Sequence, residues 1–348
     1  MAKSSKTNVV VGGGIVGLVS ALAASETGSV TIYDPGIGSG ATYAAAGMLS
    51  PGAELLAGEL HALGDAESAL RDWPDFLRRL NNPADVFFPA AGSLLTGYSR
   101  GDHEEIRRLT ALAATTSLQC TNVTREADPS RFEEISPRFD RGIFFGDDAF
   151  ADVEALVETL VAILKSRGAT FIRESVRTIE SGPSAVVQTD AGSQNFDAGL
   201  ICTGAQMELL ASPGPSMVRS VRGVTLRLRR LTPVVPRMVR GMIDGRSIYI
   251  VDRPNGEVIV GASADETSDR YVDTLAVSEL LRLSLLLSPS LDTAEFVEAR
   301  SGLRPVGPNG QPFLQRTSQR WGWHSGYYRH GVLMAPLAYR RAVEFWND

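Results

Sequence analysis

Residues 8–34 read NVVVGGGIVGLVSALAASETGSVTIYD, and this stretch decides the fold. Asn8 to Val11 is a short apolar run suited to a buried strand. Gly12-Gly13-Gly14-Ile15-Val16-Gly17 follows, then a helical pattern through Leu18, Val19, Ala21 and Leu22. Val30-Thr31-Ile32-Tyr33 gives a second strand ending at Asp34. Strand, glycine turn, helix and strand at this spacing form a βαβ unit. Gly12, Gly14 and Gly17 make a G-x-G-x-x-G motif. These glycines permit a tight turn and let the backbone and the helix N-terminus approach a pyrophosphate. An acid at the end of the second strand accepts hydrogen bonds from ribose hydroxyls and disfavours a 2′-phosphate. Gly12, Gly14, Ile15, Val16, Gly17 and Asp34 are therefore expected to line a dinucleotide.

Composition narrows the possibilities. The 348 residues are 43% hydrophobic and 21% charged, as in a soluble globular protein of one large domain or two intertwined ones. A net charge of −6 disfavours a nucleic-acid or anionic-membrane partner, because phosphates recruit basic surfaces. Of the 34 basic residues only Lys3, Lys6 and Lys165 are lysines, so a Schiff-base mechanism has few candidates. Cys120 and Cys202 form no C-x-x-C, which points to a reducing cytoplasm. His61, His103, His324 and His330 have no metal-ligand spacing, and no metal is expected. Lys3 and Lys6 before the apolar run Val9–Ala24 imitate a signal peptide, but glycines interrupt that run. No stretch reaches the ~20 apolar residues of a membrane span.

Beyond residue 34 the chain alternates between two kinds of pattern. Residues 36–54 are rich in Gly, Ala and Ser and read as a loop. Residues 65–81 are helical, with Trp73 and Phe76 inward, and 103–115 are helical too. Residues 121–150 read as irregular. Val153–Ser166 is amphipathic through Leu156, Val157, Leu160, Val161 and Leu164. Phe171-Ile172 begins a strand, 184–189 and 194–197 suggest a hairpin, and 199–204 is a buried strand ending in Thr203-Gly204. Residues 218–230, 246–251 and 257–263 alternate like antiparallel strands, and a helix follows at 275–287. Gly326 to Ala335 leads into a last helix, where Pro336 suits the first turn.

Two features favour FAD over NAD. The strand ending in Thr203-Gly204 resembles the second motif of the glutathione-reductase-like FAD superfamily. The late glycine-bounded loop stands where such folds cover the isoalloxazine. A closer resemblance runs along nearly the whole chain. Thr42-Tyr43-Ala44-Ala45-Ala46-Gly47-Met48-Leu49, Ser247-Ile248-Tyr249-Ile250-Val251, Ser301-Gly302-Leu303-Arg304-Pro305 and Gly326-Tyr327-Tyr328-Arg329-His330-Gly331 resemble, in order, segments of glycine oxidases of the thiamine pathway and other D-amino-acid-oxidase-like proteins. The departures are His330 for the usual Asn, Tyr327 for the common His, and Arg300 near an aromatic position.

The resemblance implies an α/β fold. A Rossmann-type, glutathione-reductase-like FAD-binding domain would comprise 1–80, 145–215 and 300–348. An interleaved antiparallel-sheet substrate domain of D-amino-acid-oxidase type would comprise 81–144 and 216–299. It places FAD against Thr42, Ala45, Ala46, Gly47, Met48, Leu49, Val176, Thr203, Gly204, Arg304, Arg329, His330, Gly331, Val332 and Leu333, beside the glycine turn. The flavin is expected to be non-covalent, since no Cys lies in the C-terminal third to receive it.

Arg304, Arg329 and Tyr249 are the expected catalytic residues. A small amino acid offers one strong handle, its carboxylate, and a guanidinium matches both oxygens. Arg304 is restrained by Pro305, and Arg329 lies in the loop near the flavin. Cys202, Trp321 and Trp323 read as packing, and His330 as structural. The implied activity is oxidation of glycine, sarcosine or small D-amino acids to an imino acid, then 2-oxo acid and ammonia. O2 goes to H2O2, and the resemblance implies that the product supplies thiamine thiazole synthesis. The alternative acceptor is a quinone or carrier, as in D-amino-acid dehydrogenases. A flavin-binding module without turnover is a third reading. The expected partners are the amino acid and O2, the expected location is cytoplasmic, and a homo-oligomer is compatible with all of this.

Overall fold

The computed structural model describes residues 6–52, 58–81, 83, 86–88, 92–206, 218–232 and 234–348. Lys3 and positions 53–54 of the expected loop lie outside these.

The βαβ unit forms where the sequence placed it. The strand Lys6–Val11 runs parallel to Gly28–Tyr33, and the helix Ile15–Ala24 connects them. They belong to a six-stranded sheet in the order Phe313–Arg316, Trp321–Ser325, Ala198–Ile201, Lys6–Val11, Gly28–Tyr33, Thr170–Ile172. All but the first of these strands run parallel, and the inner ones, Trp321–Ser325, Ala198–Ile201 and Lys6–Val11, are buried on both faces. One face packs on the helices Ile15–Ala24, Val153–Ser166 and Ala335–Asn347 through Leu18, Leu22, Leu156, Leu160, Ala338 and Phe345. The other packs Val9, Ile201, Trp321 and Trp323 against the hairpin strands Thr178–Ser181 and Ala185–Thr189. The last helix carries proline in its first turn, as expected, and its Trp346 indole donates to the Ser20 carbonyl at 3.0 Å. Trp73, in the helix Leu63–Arg79, donates to the Leu333 carbonyl at 3.0 Å.

An eight-stranded sheet forms the second layer system. Its order is Glu295–Val306, Arg219–Arg229, Glu257–Gly261, Arg246–Asp252, Arg237–Ile243, Ser93–Gly97, Arg141–Phe145, Cys120–Thr124. The first five strands are antiparallel to one another, and Arg237–Ile243 then runs parallel to Ser93–Gly97. Val224, Leu226, Ile248, Ile250, Val258 and Val260 point to one face, where the helix Thr274–Leu287 covers them with Leu280, Leu283 and Leu287. Alternation then sends Thr225, Arg227, Tyr249, Ile259 and Arg240 to the other face.

Residues 121–150 are irregular only in part: Arg141–Phe145 and Ala149–Ala151 are strands, and Cys120–Thr124 pairs with the first of them. At Gly142 a Cβ would sit 2.1 Å from the Leu95 carbonyl oxygen of the adjacent strand. The residue is glycine because two backbones meet closely. The segment 36–54 likewise contains a short helix, Ala41–Ala44, and a two-residue strand, Met48–Leu49.

Candidate active site

The two sheets enclose a cavity of about 850 Å³. Its first wall is the glycine turn. Gly12 has φ +108°, and a Cβ there would lie 2.4 Å from the Cys202 carbonyl oxygen. Gly17 does not line the cavity; its missing side chain lets the helix lie on the turn, since a Cβ would lie 1.9 Å from the Gly12 oxygen. Gly14, Ile15 and Val16 present the helix N-terminus to the cavity, and the Ile15 N–H donates to the Thr42 hydroxyl at 3.0 Å. Asp34 also faces the cavity. It braces the turn as well, accepting the Gly13 N–H at 2.5 Å on one oxygen and the Gly36 N–H at 2.7 Å on the other.

The second wall is the polar face of the eight-stranded sheet. Three glycines clear it. A Cβ on Gly223 would collide with the Arg304 guanidinium at 2.1 Å, one on Gly261 with the Tyr249 hydroxyl at 2.2 Å, and one on Gly302 with Ala41 and Ala44. Arg304 lies across Gly223 and donates to the carbonyls of Ser263 at 3.0 Å and Arg222 at 3.5 Å. Tyr249 stands opposite Arg240 on one side and Gly261 on the other. Its phenol is buried, which raises its pKa above the usual value against the opposing charges of Arg304, Arg227, Arg240 and Arg329.

The loop after Ser325 closes the site. Tyr327 bridges Val306, and the Tyr328 N–H donates to the Pro305 carbonyl at 2.7 Å, so Arg304 and Arg329 reach one cavity from distant sequence positions. Arg329 turns toward Glu59 (3.8 Å) and donates to the Tyr328 hydroxyl at 2.9 Å. His330 pairs with Glu59 at 2.7 Å. Beneath this loop runs a buried chain. Ser20 Oγ donates to the Val16 carbonyl at 2.7 Å and meets His324 Nδ1 at 2.9 Å, while His324 Nε2 meets the Tyr327 hydroxyl at 2.7 Å. Since the Ser20 proton is on Val16, His324 donates from Nδ1 and accepts the Tyr327 proton at Nε2. Burial pushes the His324 pKa down to about 3, so the ring is neutral. Burial pushes the Cys202 thiol up to about 12, which makes it an inert part of the wall.

Of the residues expected at the cofactor, Gly12, Gly14, Ile15, Val16, Asp34, Thr42, Ala45, Ala46, Gly47, Met48, Val176, Thr203, Gly204, Arg304, Arg329, His330, Gly331, Val332 and Leu333 line the cavity, as does Tyr249. Leu49, like Gly17, does not: it is wholly buried in the core beneath. Sequence reasoning missed Arg240, Ser263, Gly223, Gly261 and Glu59. The strand glycines carried a readable signal, because glycine inside an alternating strand marks close approach. Arg240 carried none, being one arginine among many.

The walls fit FAD. The helix N-terminus and the Gly12 cradle suit a pyrophosphate. The Thr203 hydroxyl is buried at the cavity wall without a hydrogen-bond partner among the described residues, as a group awaiting a ligand would be.

Residues 8–344 match the family described as FAD dependent oxidoreductase. The bifunctional protein ThiO/ThiG of Nostoc sp. is 28% identical over 94% of this chain, which spans 51% of that protein's length. A glycine oxidase of Pseudomonas putida is 28% identical over 96% of this chain and 92% of its own. The crystal structure of glycine oxidase from Geobacillus kaustophilus superposes with a TM-score of 0.85 at 24% identity, covering 98% of this chain and 95% of that one. No helix among the described residues is long and apolar enough to cross a membrane.

Proposed function

The chain belongs to the FAD-dependent oxidoreductase family, and on that premise we propose that it oxidises the amine carbon of a small amino acid. Glycine, sarcosine and small D-amino acids are the substrate class. The products are an imino acid and, after hydrolysis, a 2-oxo acid and ammonia (methylamine from sarcosine), with O2 reduced to H2O2. Supply of the imino acid to thiazole synthesis is part of this reading and is supported by the likeness to a Rhizobium etli protein described as a putative thiamine biosynthesis oxidoreductase.

The observation that carries it is the position of Arg304. A guanidinium laid across Gly223, beside Tyr249, shares one cavity with the glycine turn. Two backbone carbonyls fix the guanidinium, and its planar fork suits a carboxylate. Tyr249 adds a buried hydroxyl on the same side. Arg329, which approaches Glu59 and donates to the Tyr328 hydroxyl, stands in the closing loop at the same cavity. Bound FAD supplies the two-electron acceptor; the protein supplies orientation, charge and exclusion of water.

This reading divides the chain into an FAD-binding part of 1–80, 145–215 and 300–348 and a substrate part of 81–144 and 216–299. The distribution of strands between the two sheets supports it, except that Glu295–Val306 runs through residue 300 as one strand.

The test is anaerobic mixing of the holoenzyme with glycine, sarcosine and D-alanine, followed by peroxide assay in air. Bleaching of the flavin and stoichiometric peroxide are expected. Bleaching without peroxide would move the protein to the dehydrogenase class, and no bleaching with any of the three would refute the proposal.

A further inference from the structure

Three successive carbonyls at the cavity are held from outside it. The segment 41–46 runs from the glycine turn, where Thr42 accepts the Ile15 N–H, to the second sheet, where Ala46 shares an apolar cluster with Tyr249. Ala44, Ala45 and Ala46 line the cavity. The Tyr43 carbonyl accepts Arg300 Nη1 at 3.2 Å, the Ala44 carbonyl accepts the Thr225 hydroxyl at 3.1 Å, and the Ala45 carbonyl accepts Arg227 Nη2 at 3.1 Å. Thr225 and Arg300 stand directly opposite each other on the paired strands Arg219–Arg229 and Glu295–Val306. Arg227, two residues beyond Thr225, leaves the same face. None of the three side chains lines the cavity itself.

The arrangement is costly for mere packing. Arg227 is only 2% exposed, its contact with Glu257 is 3.4 Å, and its Nε has no hydrogen-bond partner among the described residues. Burying a guanidinium so thinly paired is unfavourable, and what it secures is one peptide group. A trans peptide points its N–H opposite to its C=O. Holding the carbonyls against the sheet therefore turns the N–H groups of Ala44, Ala45 and Ala46 away from it. The Ala45 N–H returns to the Thr42 carbonyl at 3.2 Å, while the Ala46 N–H has no partner among the described residues. A carbonyl engaged by a cation polarises its own peptide and makes the N–H a stronger donor. Arg300 is backed by Glu298 at 2.6 Å and by Glu154, and Arg227 by Glu257. These acids screen the guanidiniums at a distance, so the effect on the cavity comes through the peptides.

Amine oxidation needs the ring of the FAD within reach of a substrate on the second sheet, beside these peptides. Resting on that reading, we propose that Thr225, Arg227 and Arg300 are positioning residues that turn the peptides of 44–46 toward the flavin and raise its reduction potential. Reduction adds charge to the ring, and fixed N–H dipoles favour the charged form. Residues of the second sheet thereby tune the cofactor without touching it.

The test is the ratio of reduced to oxidised flavin, read anaerobically against a reference dye during slow reduction of the FAD-loaded protein. Thr225→Val and Arg300→Met each remove one carbonyl contact and should lower this ratio at a fixed dye potential at least about threefold, within the worth of one hydrogen bond. Arg227→Met, at the peptide that carries the Ala46 N–H, should lower it about tenfold, or about 30 mV for a two-electron couple. If that variant does not fold, the first two decide. Tyr43→Phe loses the 3.0 Å bond from its hydroxyl to Glu298 but keeps its carbonyl and its ring against Arg300. It should change the ratio less than about 1.5-fold, since no carbonyl contact is lost. An unchanged or raised ratio in Thr225→Val or Arg300→Met at full FAD content would overturn the proposal. So would an equal fall in Tyr43→Phe, or a variant that folds but sheds its FAD, which would show a binding role instead. The measurement uses no amine. Lowered ratios in a protein whose flavin no amine bleaches would leave this proposal standing and remove the amine-oxidation reading.

Discussion

At the residue scale the site rests on a few side chains whose surroundings fix their chemistry. Tyr249 is buried among arginines with its hydroxyl over Gly261. If that hydroxyl meets substrate, Tyr249→Phe should lower kcat/KM on the order of tenfold, the loss of one hydrogen bond, with Tm and flavin content nearly intact. A large drop in Tm with unchanged kinetics per folded molecule would place Tyr249 in the core instead. Asp148 gives a second prediction. Burial lifts its carboxyl from 3.8 to about 6, so the folded protein holds that proton more tightly than the unfolded chain. Its contribution to stability is therefore fully present below about pH 4 and is lost as pH rises through about 6. Asp148→Asn should remove this dependence. Relative to wild type, the variant should gain up to about 3 kcal/mol between about pH 4 and pH 7.5, measured by urea unfolding. A stability difference that stays constant across that range would contradict the assignment.

At the element scale the glycine turn separates packing from binding. Gly17→Ala places a methyl group 1.9 Å from the Gly12 oxygen, so the helix must move off the turn. It should cost about 1–3 kcal/mol and most of the FAD affinity. Gly14→Ala meets only the Thr42 hydroxyl, at 3.3 Å, and projects at the cavity wall. It should leave Tm nearly unchanged while weakening FAD binding. Equal effects on Tm from both changes would show that Gly17 and Gly14 do not divide packing from binding in this turn. This unit was the most legible part of the chain, because local pattern and tertiary role agree within 27 residues. The strand Arg141–Phe145 was illegible for the opposite reason: Gly142 and the surrounding charges look like a loop until the neighbouring strand is present. At the site, Arg304 and Tyr249 were legible through resemblance. Arg240 and Glu59 were not, since their significance comes only from what faces them across the fold.

At the scale of the whole molecule, two sheets from interleaved segments meet at one cavity, which joins the glycine turn to Arg304 and Tyr249. No cysteine lines it except Cys202, whose thiol is buried and held neutral. The purified protein should therefore be yellow, and acid precipitation should release FAD to the supernatant; colour retained in the washed pellet would show a covalent link. The central claim, that Arg304 anchors an amino acid by its carboxylate for oxidation at the adjacent carbon, is tested most directly by one comparison. Anaerobic flavin reduction by glycine and by ethylamine is measured in wild type and in Arg304→Ala. Glycine has almost no apolar surface, so its binding depends on charge-assisted hydrogen bonds. Its efficiency should fall on the order of 10²-fold or more, with part of the loss in turnover, because the same contacts orient the reacting carbon. Ethylamine, a poor substrate of either protein, should lose less than about threefold. An equal loss for both substrates, or no loss for glycine, would contradict the account.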